Sequence, residues 1–192
     1  MKKLLGIMVL GLLFISAPAK ADDIRDFEIE GMSIGDSLLD YFSDEEIKAS
    51  TVNYYNDNKF TPVEFEFLPI FKIYDALGFN YKTDDKKYII HSISGLLDFP
   101  NNIKDCYKKK DEIVKELKKV FINATSFDKI KTKHTDKSVK GRFTSTYFDL
   151  EFGDRASVQC YDWDKEMNYI DHLRIGIRTK EFKEFLLNKA YK

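Results

Sequence analysis

Apolar residues recur at steps of three and four along residues 101–121. Ile103, Cys106, Tyr107, Ile113, Val114, Leu117, Val120 and Phe121 fall on one side of a helix. Lys110 alone interrupts the stripe, with a stem long enough to carry its charge past apolar neighbours. Asn101 or Asn102 can cap this helix, and Pro100 stops the strand before it. On both sides the rhythm changes to period two. Upstream, VEFEF at residues 63–67 alternates, and residues 71–81 and 87–99 read as strands joined by a polar turn at residues 82–87. Downstream, residues 123–140 read as a flexible basic loop, followed by three strand patterns. TSTYFDLEF places Phe148, Leu150 and Phe152 on one side, ASVQCYDW places Ala156, Val158 and Cys160 together, and HLRIGIR turns Leu173, Ile175 and Ile177 inward. Thr179 then caps a last helix whose Phe182, Phe185, Leu186 and Ala190 form its buried side.

The order predicts an α+β fold: an antiparallel sheet arranged strand, helix, three-strand meander, helix, with the helices on one face. A short N-terminal α/β arm precedes it. In that arm DFEIE at residues 26–30 alternates like a strand, and Ser43 with Glu46 forms a capping box that starts a short helix. The polar stretch 49–62 reads as the junction between an arm at residues 22–60 and a body at residues 61–192.

The first 21 residues follow a different logic. Lys2 and Lys3 precede a run from Leu4 to Ile15 without a charge, and Ala19-Lys20-Ala21 completes the pattern of a secretory signal peptide cleaved after Ala21. The run is short and interrupted for a bilayer core of about 30 Å, so no transmembrane segment is expected after cleavage. The expected location is the periplasm or the medium. Export changes the reading of the two cysteines, since an even pair outside the cytoplasm oxidises. Cys106 lies on the core stripe of the helix and Cys160 on the inward side of a strand, so the expected cross-link is Cys106 to Cys160.

Of the 192 residues, 43% are hydrophobic and 33% charged, a mixture that folds. Charge is uneven: residues 22–60 hold 11 acidic and 3 basic side chains, net −8, whereas residues 104–142 hold 13 basic and 6 acidic, net +7. The basic middle can meet the acidic arm, which is the preferred reading, or an anionic envelope component. The slightly acidic whole and the extracytoplasmic address speak against nucleic acid.

Two serine motifs overlap near the arm's centre. Gly31-Met32-Ser33-Ile34-Gly35 matches G-x-S-x-G, but the acid-rich DFEIE before it is ill suited to a buried parallel strand. Gly35-Asp36-Ser37-Leu38 resembles the first block of the GDSL (SGNH) esterases, small exported hydrolases with a flavodoxin-like parallel sheet. The resemblance implies a nucleophilic role for Ser37. It covers about six residues. Tyr81 stands where the family's G-x-N-D block has aspartate, and neither His91, His134 nor His172 has an aspartate three positions before it. A serine without a positioned base is an ordinary alcohol, and Asp36 or Ser33 can instead cap a short helix. The three histidines show no metal-ligand spacing, and the acids around Asp162-Trp163-Asp164 lack the glycine and terminal glutamate of a calcium loop. No metal and no cofactor is expected.

The aromatics remain. Tyr161 and Trp163 fall opposite Cys160, and Tyr147 is the third aromatic strand residue of this group. Left to solvent, these rings form a binding surface for a peptide or glycan; the alternative is that the N-terminal arm covers them. The expected function is an exported, non-catalytic binding or interaction protein for a partner protein or envelope component. A small esterase using Ser37 is the enzymatic alternative.

Overall fold

The computed structural model describes residues 24–100, 102–131 and 140–192, so the expected leader and its expected cleavage site lie outside the described residues. Helix α1 (Asp44–Ala49) belongs to the arm. Strands β1 (Phe60–Glu66), β2 (Ala76–Lys82) and β3 (Ser92–Asp98) precede the long helix α2 (Ile103–Val120). Strands β4 (Thr125–Lys131), β5 (Gly141–Asp149), β6 (Arg155–Trp163) and β7 (His172–Arg178) follow, and α3 (Lys180–Asn188) comes last. All seven strands join one antiparallel sheet of order β1-β2-β3-β7-β6-β5-β4.

This order follows from what α2 must span. The chain leaves β3 in the middle of the sheet and re-enters at the far edge in β4, four strand spacings or about 19 Å away. An 18-residue helix is about 27 Å long and makes that crossing obliquely. The apolar stripe therefore lands on the sheet: Cys106, Ile113, Val114 and Leu117 are buried and contact β6 and β7. Asn102 caps the helix by accepting from the Lys104 amide at 3.2 Å. Cys106 and Cys160 are joined, sulfur to sulfur, at 2.05 Å.

The arm covers the other half of the same face. Phe27 packs on Phe121 at 4.6 Å between ring centres, Phe42 stacks on Phe65 at 4.0 Å, and Met32, Leu38 and Ile47 enter the core. The Glu30 carboxylate accepts from the backbone amides of Lys72, Ile73 and Tyr74 at 3.0, 2.6 and 3.1 Å, fixing the arm to the loop before β2. The capping box of Ser43 and Glu46 is present. DFEIE forms no ladder; Ile29 bridges only to Met32 across a turn where Glu30 and Gly31 take φ of 54° and 80°.

Other boundaries shift for identifiable reasons. Residues 125–131, read as loop, form the edge strand β4: its described side chains are all exposed, so no burial pattern marks it. Lys129 on that edge discourages pairing with another sheet. The strand expected at residues 71–81 starts at Ala76, because Phe67 donates to the Asp75 carbonyl and closes residues 67–75 into a loop. The next strand begins only at Ser92, after a turn in which Asp85 accepts from Lys87 and Ile89. Phe152 does not share a face with Phe148: the chain turns between Leu150 and Asp154, leaving its ring 70% exposed.

Helix α3 does not join the main core. Its Phe182 and Phe185 pack with Phe60 and Tyr55 in a separate cluster, and Phe60 has the parity of Glu64, opposite Val63 and Phe65. The cross-link closes a separation of 54 residues, which the chain-entropy model values at about 4 kcal/mol. Replacing both Cys106 and Cys160 by alanine is expected to lower the unfolding free energy in urea by about that amount, at an m-value near the parent's.

Candidate functional site

The sheet face away from α2 differs in chemistry from the core face, and the alternation of the strands decides which residues it carries. Its central row runs Glu64, Gly78, Ser94, Gly176, Ser157, Tyr147 across six strands. Between Glu64 and Tyr147 no side chain in that row is larger than serine. The result is a shallow trough. A methyl group at Gly78 would lie 3.1 Å from the Ser94 hydroxyl, and one at Gly176 would lie 3.3 Å from the Ser94 Cβ, so the floor is closely fitted.

Two arginines of β7, Arg174 and Arg178, flank the trough two residues before and after Gly176 on the same face of the strand. Arg174 reaches across to donate from Nη2 to Glu64 Oε1 at 3.2 Å, with its guanidinium carbon 5.6 Å from the Tyr161 ring centre. Arg178 donates from Nη2 to Ser157 Oγ at 2.9 Å and forms no ion pair among the described residues. Its Nε is enclosed without a partner, as is that of Arg174. Burial, then the charge of Arg155 beside it, push the Arg178 guanidinium below its ordinary pKa against the opposing pull of Tyr147 and Tyr161. An arginine nevertheless stays charged. Arg155, its neighbour in the next strand, is differently placed: it holds Asp149 with two bonds at 2.7 and 2.9 Å and lies over Phe127 and Tyr147.

Polar and aromatic side chains line the rest. Gln159, buried at the sheet surface, donates to Ser145 Oγ at 3.0 Å and to the Tyr147 hydroxyl at 3.3 Å. Tyr55 donates to Asn80 at 2.8 Å, and Tyr54 donates to Glu64. Tyr161 stacks on His172 at 4.6 Å and 17°, and Trp163 packs on Tyr161, Phe143 and Tyr169. The rings named from sequence, Tyr147, Tyr161 and Trp163, therefore lie on one face, with Tyr147 buried and the other two half-buried. The described part of the arm, residues 24–59, lies largely over the opposite face and does not cover them. Sequence reasoning passed over Arg174, Arg178 and Gln159. Their signal was available in HLRIGIR, where turning Leu173, Ile175 and Ile177 inward sends both arginines to the outer face.

The described arm meets the basic middle through apolar contact, Phe27 on Phe121, and among the described residues no ion pair joins residues 24–60 to residues 104–142; Lys109, Lys110 and Lys119 of α2 pair with Glu112, Asp111 and Glu116 of their own helix. Ser37 acts as a cap: its hydroxyl donates to the Lys87 carbonyl at 2.6 Å and accepts from the Leu39 amide at 3.1 Å, and it bonds to neither of the described histidines, His91 and His172. Ser33 donates to the Phe27 carbonyl at 3.0 Å. Among the described residues no cluster of three His, Cys, Asp or Glu side chains has the arrangement of a metal site, and no helix is long and apolar enough to cross a membrane. No protein family, no curated protein and no solved structure matches this chain.

His172 closes one end of the face. Its Nδ1 lies 3.1 Å from the Ile170 carbonyl and 3.4 Å from Trp163 Nε1, while Nε2 is enclosed and unpartnered. Burial, then the charge of Arg174, hold its pKa down at about 4, below the usual 6.5. The unfolded chain therefore binds this proton first as pH falls. The stability contribution is whole above pH 6.5 and is lost on acidification toward pH 4, by up to about 3 kcal/mol. Urea titrations of His172→Phe between pH 7 and pH 4 should show a flatter profile than the parent, with the remaining slope in that range coming partly from His91, also lowered by burial. Ser37→Ala is expected to cost about 1 kcal/mol, read from the same titrations, through loss of the cap.

Proposed function

We propose that the chain is an exported, disulfide-stapled α+β protein, with α2 fastened onto the meander β5–β7, that binds an acidic ligand on the outer sheet face without transforming it. The observation that carries this reading is Arg178: a half-buried guanidinium that, among the described residues, has one serine as its partner and no carboxylate within ion-pair distance. Leaving such a charge uncompensated is costly, and an incoming anion removes that cost. Arg174 lies across the trough from it, already half-committed to Glu64, and can turn part of its fork to the same ligand. Tyr161 and Trp163 offer ring faces to the ligand's body, as sugar- and peptide-binding surfaces do. Export is supported by the leader pattern in the sequence and by the Cys106–Cys160 bond, which persists in an oxidising compartment. An acidic component of the cell envelope fits that address.

A panel of acidic and neutral oligosaccharides and peptides, titrated into oxidised mature protein at two salt concentrations, tests the reading. Acidic members should bind, more weakly at higher salt. Arg178→Met should weaken that binding by about 10- to 100-fold, the worth of a charge-assisted hydrogen bond. Equal binding of neutral members, or no effect of Arg178→Met, would overturn it.

A further inference from the structure

A second site lies on the other side of the sheet. Between α2 and the outer hairpin β4–β5 there is a cavity of about 320 Å³, in the range of small-molecule pockets. It is walled mainly by carbon, including Ile130 and the ring of Tyr107. Its polar groups are unevenly satisfied.

Lys110, the residue that breaks the apolar stripe of α2, is only 9% exposed. Its ammonium has one carboxylate, Asp111, at 3.7 Å, and that carboxylate is itself 79% exposed and well hydrated. Thr144 Oγ1 is enclosed with no partner. Arg142, on the same side of β5 as Thr144, forms no ion pair among the described residues. The nearby acids are already engaged: Asp128 accepts from Thr146 at 2.5 Å, and Asp162 accepts from Tyr107 at 2.9 Å. Of the three basic residues lining the cavity, Lys129 shares the strand side of Phe127 and Ser145, toward the outer face, so the cations on the cavity side are Lys110 and Arg142.

We propose that this cavity binds a small organic monocarboxylate. The carboxylate meets Lys110 and Arg142 and accepts from the Thr144 hydroxyl, while a ring or short aliphatic body lies against Tyr107 and Ile130. One carboxylate satisfies Lys110, Arg142 and the Thr144 hydroxyl together, and the carbon walls favour a ligand with an apolar body over inorganic phosphate. The inference stands independently of the sheet-face reading, since the two share only Ser145, which neither places against its ligand.

The test uses ¹⁵N-labelled, oxidised mature protein titrated with benzoate, hexanoate, benzamide and inorganic phosphate. Benzoate or hexanoate should shift the amides of Tyr107, Asp111 and Thr144 and saturate with a dissociation constant of the order of 1–10 mM, as suits ligands of this size. Benzamide and phosphate should not. Lys110→Met should weaken carboxylate binding about tenfold or more without lowering the melting temperature, and Arg142→Gln, at the exposed rim, reads the same loss should Lys110→Met not fold. Arg178→Met must leave these shifts in place. Saturation by benzamide equal to benzoate, absence of saturable shifts at these amides, or binding indifferent to both Lys110→Met and Arg142→Gln would overturn the proposal.

Discussion

The crossing of α2 over the sheet is the constraint on which the remaining structure depends. A helix that leaves β3 and delivers the chain to the far edge forces the four later strands to fold back toward β3, and so sets the strand order. The bond from Cys106 to Cys160 fixes that crossing where helix and strand come nearest. It also removes freedom from the unfolded chain over the whole stretch that contains β4 and β5. The edge strand β4 is held by its ladder to β5 and by little else.

The same crossing gives the sheet two unlike faces. Under α2 and the arm the face is apolar, with Phe79, Ile93, Leu173 and Val158 at or near zero exposure. The opposite face receives α3 and Tyr55 at one end, with Tyr54 on Glu64 and Tyr169 on Trp163, and there the sheet carries arginine, glutamine, serine and tyrosine. Burying polar groups is tolerable only when they are bonded. Most here are, through Gln159, Ser157 and Glu64, and the exceptions are the informative ones. Arg178 on one face and Lys110 with Thr144 on the other are charged or polar groups for which the chain itself supplies too few partners.

The acidic arm shows how a net charge can mislead. Its attachment is apolar, through Phe27, Met32 and Phe42, and its best-placed carboxylate, Glu30, is spent on three backbone amides and not on a lysine. The basic middle is left to neutralise itself along α2 or to face an anion from outside. Long-range charge balance within one chain carries no instruction about which side chains meet, because the attraction between exposed charges is screened within about 10 Å.

Several features were determined by local sequence alone. The period of the stripe at residues 103–121 dictated α2 and the placement of Cys106 on its inner side, and period-two alternation dictated β6 and β7 and the inward position of Cys160; with only two cysteines, the pairing followed. The capping box at Ser43 was equally local. What tertiary structure decided were matters no local period encodes. Strand β4 exists because β5 offers it a ladder, although its own residues show no burial pattern. The turns at Phe67 and Leu150 cut short strands that propensity would extend. Arg174 and Arg178 could be placed on the outer face from sequence, but that one finds Glu64 and the other finds no acid depends on β1, more than a hundred residues earlier, lying across the trough. Lys110 read as a blemish on a helix stripe; only the packing of α2 against the outer hairpin turned it into a buried charge beside an unfilled cavity.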